Sequence, residues 1–427
     1  MFEQFLNVMV GMVDTLMVSK AGEAAVSGVA LTTNINLLII QVMAALATGG
    51  AVVCSQYNGR NDTEEATFAA AQLETVLLVF SVVAALICAV LGHRMLPAIF
   101  GKVEETVMHS AWIYVFVTAL SYPFLGVYNA GAAIFRSVGN SKVSMILSVL
   151  MNAINIVLNA VLVMMGYGVL GVALATLVSR IVCGICMVIL VTKPYNPLQL
   201  KRLRELLPNR KMITRILRIG IPSGIENSMF QVRKLMVVSM ITKFGTAAIA
   251  ANSVSYSVIE FPNIPGMSMG LALITVVGNC LGAGEIEQAK KYTKKLMVLA
   301  YAGDWIMNAL LFVFAPQVAG VFSLSKEATD MAVEVLRWFS SVAVFIWPLS
   351  FTLPNALRAA GDVKYTMLTG ILSMWMFRVL CSYFLAVVCN LGILGVWYGM
   401  FIDWGVRSLF FVIRYLSGKW QTKKVIS

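Results

Sequence analysis

FRSVGNSKVSM, residues 135–145, returns as LRAAGDVKYTM at residues 357–367. Arg136 pairs with Arg358, Gly139 with Gly361, Lys142 with Lys364 and Met145 with Met367. The register extends outward on both sides, through Gly22 with Gly245, Gly59 with Gly282, Glu64 with Glu287, Ala66 with Ala289, and Gly171 with Gly395. The offset stays between 222 and 224 residues along the chain. So steady a spacing marks an internal duplication, and the fold is read as two copies of one unit.

Composition says what that unit is made of. Apolar residues are 59% of the chain and charged residues 12%, and the mean hydropathy is +0.84. Soluble domains carry about 25% charged residues, so the shortage points to a membrane protein. Runs such as 70–92, 144–166 and 295–315 are long enough for a helix to cross a hydrocarbon core of about 30 Å. Alternating strand patterns are missing, which leaves helices to satisfy the backbone in lipid.

About twelve spans follow, near 1–19, 25–57, 63–92, 107–135, 140–166, 169–192, 213–243, 247–281, 286–315, 328–357, 362–389 and 392–416. The expected fold is an all-α integral membrane protein with two six-helix lobes, 1–193 and 213–417. A polar, basic, proline-containing linker, 194–212, joins them, and a tail follows at 418–427. Six is an even number, so both copies enter from the same face. The expected symmetry is a pseudo-twofold axis along the membrane normal, with a cleft between lobes near the midplane.

Positive charge orients the chain. Connections after even-numbered spans, with the tail, hold 21 Lys and Arg residues against 5 after odd-numbered ones. The positive-inside rule then places both termini in the cytoplasm, in a bacterial-type plasma membrane. The same rule accounts for the net charge of +12 without nucleic acid, because no soluble basic domain gathers it. The seven cysteines are scattered through apolar segments. Cys183 and Cys186 have CxxC spacing but no further ligands nearby, so packing is the better reading. The first apolar run leads into further spans and shows no small-residue cleavage site, so it reads as a span and not a signal peptide.

Ionisable and amide side chains inside spans are costly and mark candidate sites. Asp14, in NVMVGMVDTLMVS (7–19), is the sharpest. A carboxylate there must face a cavity or a partner, and its charge state would respond to a bound cation or to water; the plainer alternative is an acid reaching the outer interface. Asn152, Asn155 and Asn159 share one helical face, where amides can coordinate a cation or bind helices together. Glu226 lies just past Pro222, which would kink its helix. Arg378, Asp403 and Asp304 lie deep in their spans, and with Glu226 they form a candidate polar cleft in the second lobe. Asp403 has two candidate partners, Arg407 four residues on and the more distant Arg378. Arg136 and Arg358, at equivalent cytoplasmic helix ends, are candidates for an inner gate. Methionines (25) and aromatic residues would suit a promiscuous pocket, and equally ordinary packing.

The chain resembles the multidrug and toxic compound extrusion (MATE) antiporters. The resemblance rests on VDTLMVSKAGEAAVSGVAL, the QYNGRND turn, the helix around NINIVLNAVLV, GIPSGIENSMFQ and GNCLGAGEIEQAKKY, and covers nearly the whole chain. It implies export of cationic or amphipathic compounds by alternating access, against entering Na⁺ or H⁺. It implies no other cofactor, no metal beyond Na⁺ at Asp14, small-molecule substrates and a monomer in the bilayer. It joins Asp14, Asn155, Asn159 and the Thr176 hydroxyl in one cation site. Here Asn159 stands where the family commonly has Asp, and Phe230 where its sodium-coupled branch has a glutamate. Relatives usually begin further upstream, so the first helix, roughly 28 Å if fully helical, reads as shortened at its cytoplasmic end.

Four other functions fit the sequence less well. A lipid or lipid-linked oligosaccharide flippase would share the plan, but should line its cleft with more cations than Arg180, Arg233, Lys234, Arg337 and Arg378 offer. An intramembrane enzyme should show HExxH, a GxSxG nucleophile elbow or a paired-acid motif; GMSMG (266–270) has the GxSxG spacing but lies inside the expected span 247–281 and not at a strand-to-helix turn, and neither the other motifs nor the GxxxxGK[ST] of an ATP-driven pump is present. A receptor that transports nothing would leave the repeat and buried acids unexplained.

Overall fold

The computed structural model describes residues 23–101, 104–200, 203–322 and 324–426. The predicted span at 1–19, Asp14 included, lies outside the described residues. Among the described residues every regular element is helical. The first half contains α1 (Glu23–Gly59), α2 (Thr63–Phe100), α3 (Glu105–Leu120), α4 (Tyr122–Ser137), α5 (Ser141–Met164) and α6 (Gly168–Val191). Then come α7 (Arg210–Ile241), α8 (Gly245–Ile259), α9 (Ile264–Gly282), α10 (Ile286–Gly320), α11 (Lys326–Trp347), α12 (Leu353–Ala359), α13 (Val363–Ser373) and α14 (Gly392–Leu416). Among the described residues ten helical stretches are long and apolar enough to cross a membrane, eleven when the bent pair α3–α4 is counted as one span.

Several ends follow directly from sequence. Asp62 caps α2 by accepting a hydrogen bond from the Glu65 amide at 3.2 Å, and Glu64 and Glu65 favour the positive end of that helix. Ser325 caps α11 through the Ala328 amide at 3.2 Å. Large apolar side chains such as Val90, Met164, Ile306 and Leu380 are exposed, as lipid-facing positions require.

Four predicted single spans are not single straight helices. The stretch 107–135 bends by 46° at Ser121, where Pro123 withholds an amide from the preceding turn. The stretch 247–281 divides between α8 and α9, because Pro262 lies in the interruption and Pro265 in the first turn of α9. The stretches 328–357 and 362–389 stay mostly helical but pass through wider turns, the first at Pro348–Thr352 between α11 and α12 and the second at Met374–Cys381 and Phe384–Val388.

The chain separates into two compact units within α7, one ending at Gly224 and the other running from Ile225. In the first, α1 and α7 come close at glycines. A β-carbon on Gly49 would lie 2.6 Å from the Ile216 carbonyl and 2.8 Å from the Gly220 nitrogen, the close approach that small residues permit in membranes. The connecting segment is pinned to this unit. The Gln72 side-chain amide donates to the carbonyls of Glu205 (2.7 Å) and Leu207 (2.9 Å) and accepts from the Asn209 amide (2.7 Å). The Thr75 hydroxyl donates to the Leu206 carbonyl at 2.8 Å. In the second unit an aromatic network fills the core, with Trp404 packed edge-on to Phe339 (5.9 Å) and Phe351 (5.5 Å).

The repeat reappears in the backbone itself. Gly139 and Gly361 have φ of +81° and +86°, and Asn61 and Gly284 have +61° and +80°. Gly166 pairs with Asn390 (+85° and +54°), and Gly168 with Gly392 (+52° and +55°). These left-handed joints occur at the offsets that align the two sequences.

Candidate functional site

In the first unit, α5 and α6 bring three of the predicted cation-coupling residues into one hydrogen-bonded chain. Asn155 and Asn159 are buried, and Thr176 is half-buried. The Asn159 side chain donates to Asn155 Oδ1 at 3.1 Å, and the Asn155 amide donates to Thr176 Oγ1 at 3.3 Å. The Thr176 hydroxyl donates onward to the Val172 carbonyl at 3.1 Å. The i, i+4 spacing of the two asparagines puts both on the face that meets α6. Two amides and a hydroxyl thus occupy an apolar interior without formal charge. Such oxygens can solvate a small cation, while a counter-charge has to come from elsewhere; Asp14, the expected source, lies outside the described residues.

Other polar contacts of this unit were not legible beforehand. The Tyr122 hydroxyl donates to buried Asn36 Oδ1. Arg180 Nη1 donates to Ser121 Oγ at 2.8 Å, at the α3–α4 bend. Asn36 did carry a signal, as an amide in the apolar run NINLLII; its partner, 86 residues away, did not.

In the second unit each predicted carboxylate has a partner. Glu226, on α7, meets Arg358, at the end of α12: Arg358 Nη2 donates to Glu226 Oε2 at 2.8 Å. Arg358 Nη1 also donates to Asn355 Oδ1 at 3.0 Å. Gly370 leaves room for the pair, since a β-carbon there would lie 2.8 Å from Glu226 Oε1. The structure therefore joins residues that the sequence reading had assigned separately to a cleft and to a gate. Arg136, the counterpart of Arg358, is half-buried in the last turn of α4.

Of the two arrangements open to Asp403, the local one forms. Arg407 Nη2 donates to both carboxylate oxygens, at 3.3 and 3.2 Å. Arg378 turns instead to the Tyr256 hydroxyl, 2.5 Å away, so no Arg378–Asp403 bridge forms. The four-residue separation holds Asp403 and Arg407 on one face, whereas Arg378 comes from another helix. Buried Asp304 accepts the Gly266 amide at 3.0 Å, near the start of α9, and Asn308 donates to the Asp304 carbonyl at 2.8 Å. Phe230 sets its ring 5.0 Å from the Arg407 guanidinium and 5.5 Å from that of Arg233.

Among the described residues no group of three or more His, Cys, Asp or Glu side chains could hold a metal ion. The cysteines described are all free, and Cys183 contacts the Leu147 carbonyl through its thiol at 3.5 Å.

Known proteins agree with this architecture. A probable multidrug resistance protein NorM from Thermotoga maritima is 26% identical, over 100% of this chain and 92% of its own. A solved MOP superfamily transporter from Pyrococcus furiosus superposes with a TM-score of 0.91 at 21% identity, over 99% of this chain and 94% of that one. Its description reports a binding pocket of reverse polarity, suggesting a different function. A MATE protein crystallised in a bent conformation gives 0.88 at 22% identity, over 98% and 92%. The MatE family model matches residues 1–161 and 222–384, taking in both copies of the repeat. Duplicated membrane helices, a fold shared with solved MATE structures and that two-part match lead to one conclusion: the chain is a membrane transport protein and belongs to the MatE family.

Proposed function

We propose that the protein exports cationic or amphipathic drug-like compounds across a bacterial-type plasma membrane, exchanging them for entering Na⁺ or H⁺ by alternating access. The observation that carries this reading is the buried Asn159–Asn155–Thr176 chain inside a MatE-family fold. An uncharged set of oxygens needs a carboxylate to make ion binding reversible, and Asp14 is the residue assigned that part. Entry of Na⁺ or H⁺ neutralises Asp14, and its release restores the charge. A relative over the full chain is described as a probable multidrug resistance protein, which supports drug-like cargo.

Glu226 and Asp403 are given structural parts, since each is paired with an arginine in the second unit, and Asp304 is given one through the bond it accepts from the Gly266 amide. The inner gate is assigned to the repeated arginines, with Arg358 held in place by Glu226.

The test is ethidium efflux from cells expressing the protein, with the Na⁺ and pH gradients collapsed in turn. Efflux should fall when the coupling gradient is removed. Asp14→Asn should abolish it while the protein still inserts and purifies as a single species. Full efflux by that variant would remove Asp14 from the mechanism. Efflux indifferent to both gradients would remove ion exchange.

A further inference from the structure

The apolar interior of the second unit holds more positive charge than its carboxylates meet. Arg407 is 1% exposed, but its charge is answered. Asp403 accepts two of its hydrogen bonds, and the rings of Phe230 and Phe351 lie 5.0 and 5.1 Å from its guanidinium. Arg378 is as deeply placed, at 2% exposure, and is not so answered. Its one hydrogen bond goes to the Tyr256 hydroxyl, while its Nε and Nη1 are buried with no partner. Arg233 repeats the pattern, with a buried, unpartnered Nε. Its guanidinium is within electrostatic reach of Arg378, Tyr256, Asp403 and Arg407. Lys234, itself exposed, lies at the margin, 6.0 Å from the Tyr256 ring.

Buried guanidinium nitrogens without partners are costly and need a reason. Three arginines around one carboxylate are not a self-contained ion-pair network. Arg378 also sits on Met374–Cys381, a stretch with the wider turn found preferentially at functional positions. Its free N–H groups form part of a planar fork, which matches the two oxygens of a carboxylate or phosphate better than any neutral acceptor. Flat rings lie close by: Tyr256 beside Arg378, Trp397 5.2 Å from Tyr256, and Phe230 beside Arg233. A charged fork edged by aromatic faces suits a ligand with an anionic end and an apolar body.

We propose that Arg378, Arg233 and Tyr256 of the second unit bind the oxyanion, carboxylate or phosphate, of an amphipathic molecule. This goes beyond export of cations, because it gives the protein a site for the negative end of a zwitterion or an acidic amphiphile. Binding is read without transport, so the proposal and the export reading fail separately.

The test measures fluorescence anisotropy with the full chain in phosphatidylcholine nanodiscs. One dye is rhodamine B, which carries a free carboxylate, and the other is its ethyl ester, which does not. Rhodamine B should bind more tightly than the ester. Arg378→Gln and Arg233→Gln should each weaken rhodamine B by about tenfold or more, leaving the ester within about twofold. Arg378→Lys should recover part of the preference. Size-exclusion and thermal unfolding accompany each variant; Arg233, only half-buried, keeps the test decisive if Arg378→Gln does not fold. Adding phosphatidylglycerol to the nanodiscs distinguishes the sources. Displacement of rhodamine B identifies a lipid headgroup as the occupant, and undiminished binding identifies a solute anion; both keep the oxyanion site. Equal binding of the two dyes by the unaltered protein overturns it, as does a preference that survives in the folded variants. Lost ethidium efflux with an intact dye preference counts against export alone.

Discussion

Glu226 and Arg358 are the most exacting pair in the second unit, because both charges are held away from water. Their side chains are 3% and 16% exposed and 2.8 Å apart. Removing one partner from a buried pair costs about 3–5 kcal/mol, chiefly because the other charge is left unanswered, whereas removing both costs far less. The residual exposure of Arg358 puts the expectation at the low end of that range. Arg358→Leu should lower the unfolding temperature in detergent clearly, and Glu226→Gln with Arg358→Leu should recover most of the loss. A double variant as unstable as the single one would mean that the pair is not the source of stability. Asn159 offers the opposite experiment, since a carboxylate is introduced where an amide stands. Asn159→Asp should increase the stabilisation by Na⁺ seen in thermal unfolding, because it adds a charge to the amide and hydroxyl oxygens. A Na⁺ response identical to that of the unaltered protein would exclude the position from cation binding. The presence of polar residues at 155, 159, 226, 304, 378 and 403 was legible in the sequence, since each interrupts an apolar run. Their partners were not: Arg358 is 132 residues from Glu226, and Tyr256 is 122 from Arg378. Only the packing of helices decides which of those faces meet.

At the scale of elements, hydropathy located the spans well because each is a long, uninterrupted apolar stretch. It failed at the bend at Ser121 and at the interruption between α8 and α9, because an average over about twenty residues hides a break of a few. Prolines at 123, 262 and 265 were the available signal. The linker was legible as polar and basic, but not as docked. Its carbonyls meet a single buried glutamine whose own surroundings, AAAQLET, read as ordinary span. Gln72→Ala removes three hydrogen bonds to the segment 205–209. Tryptic cleavage among Lys201, Arg202, Arg204, Arg210 and Lys211 should become several-fold faster in that variant, since cleavage follows local opening. An unchanged cleavage rate would show that Thr75 and the surrounding packing hold the linker without Gln72.

For the whole molecule, alternating access requires the two units to move as bodies when the coupling ion changes. Lys142 and Lys364 are equivalent in the repeat and both are exposed, so spin labels there should disturb neither unit. With the seven native cysteines replaced, the distance distribution between cysteines at those two positions should shift with Na⁺ or with pH. One fixed distribution under all conditions, with efflux intact, would count against rigid-body exchange. The matched left-handed joints carry a separate consequence: each half serves as an internal control for the other. A side chain on Gly139 would meet nothing within 4 Å, whereas on Gly361 it would lie 2.5 Å from Val425. The same glycine-to-alanine change at both sites therefore separates backbone strain from crowding by the tail, within one polypeptide and without recourse to any homologue.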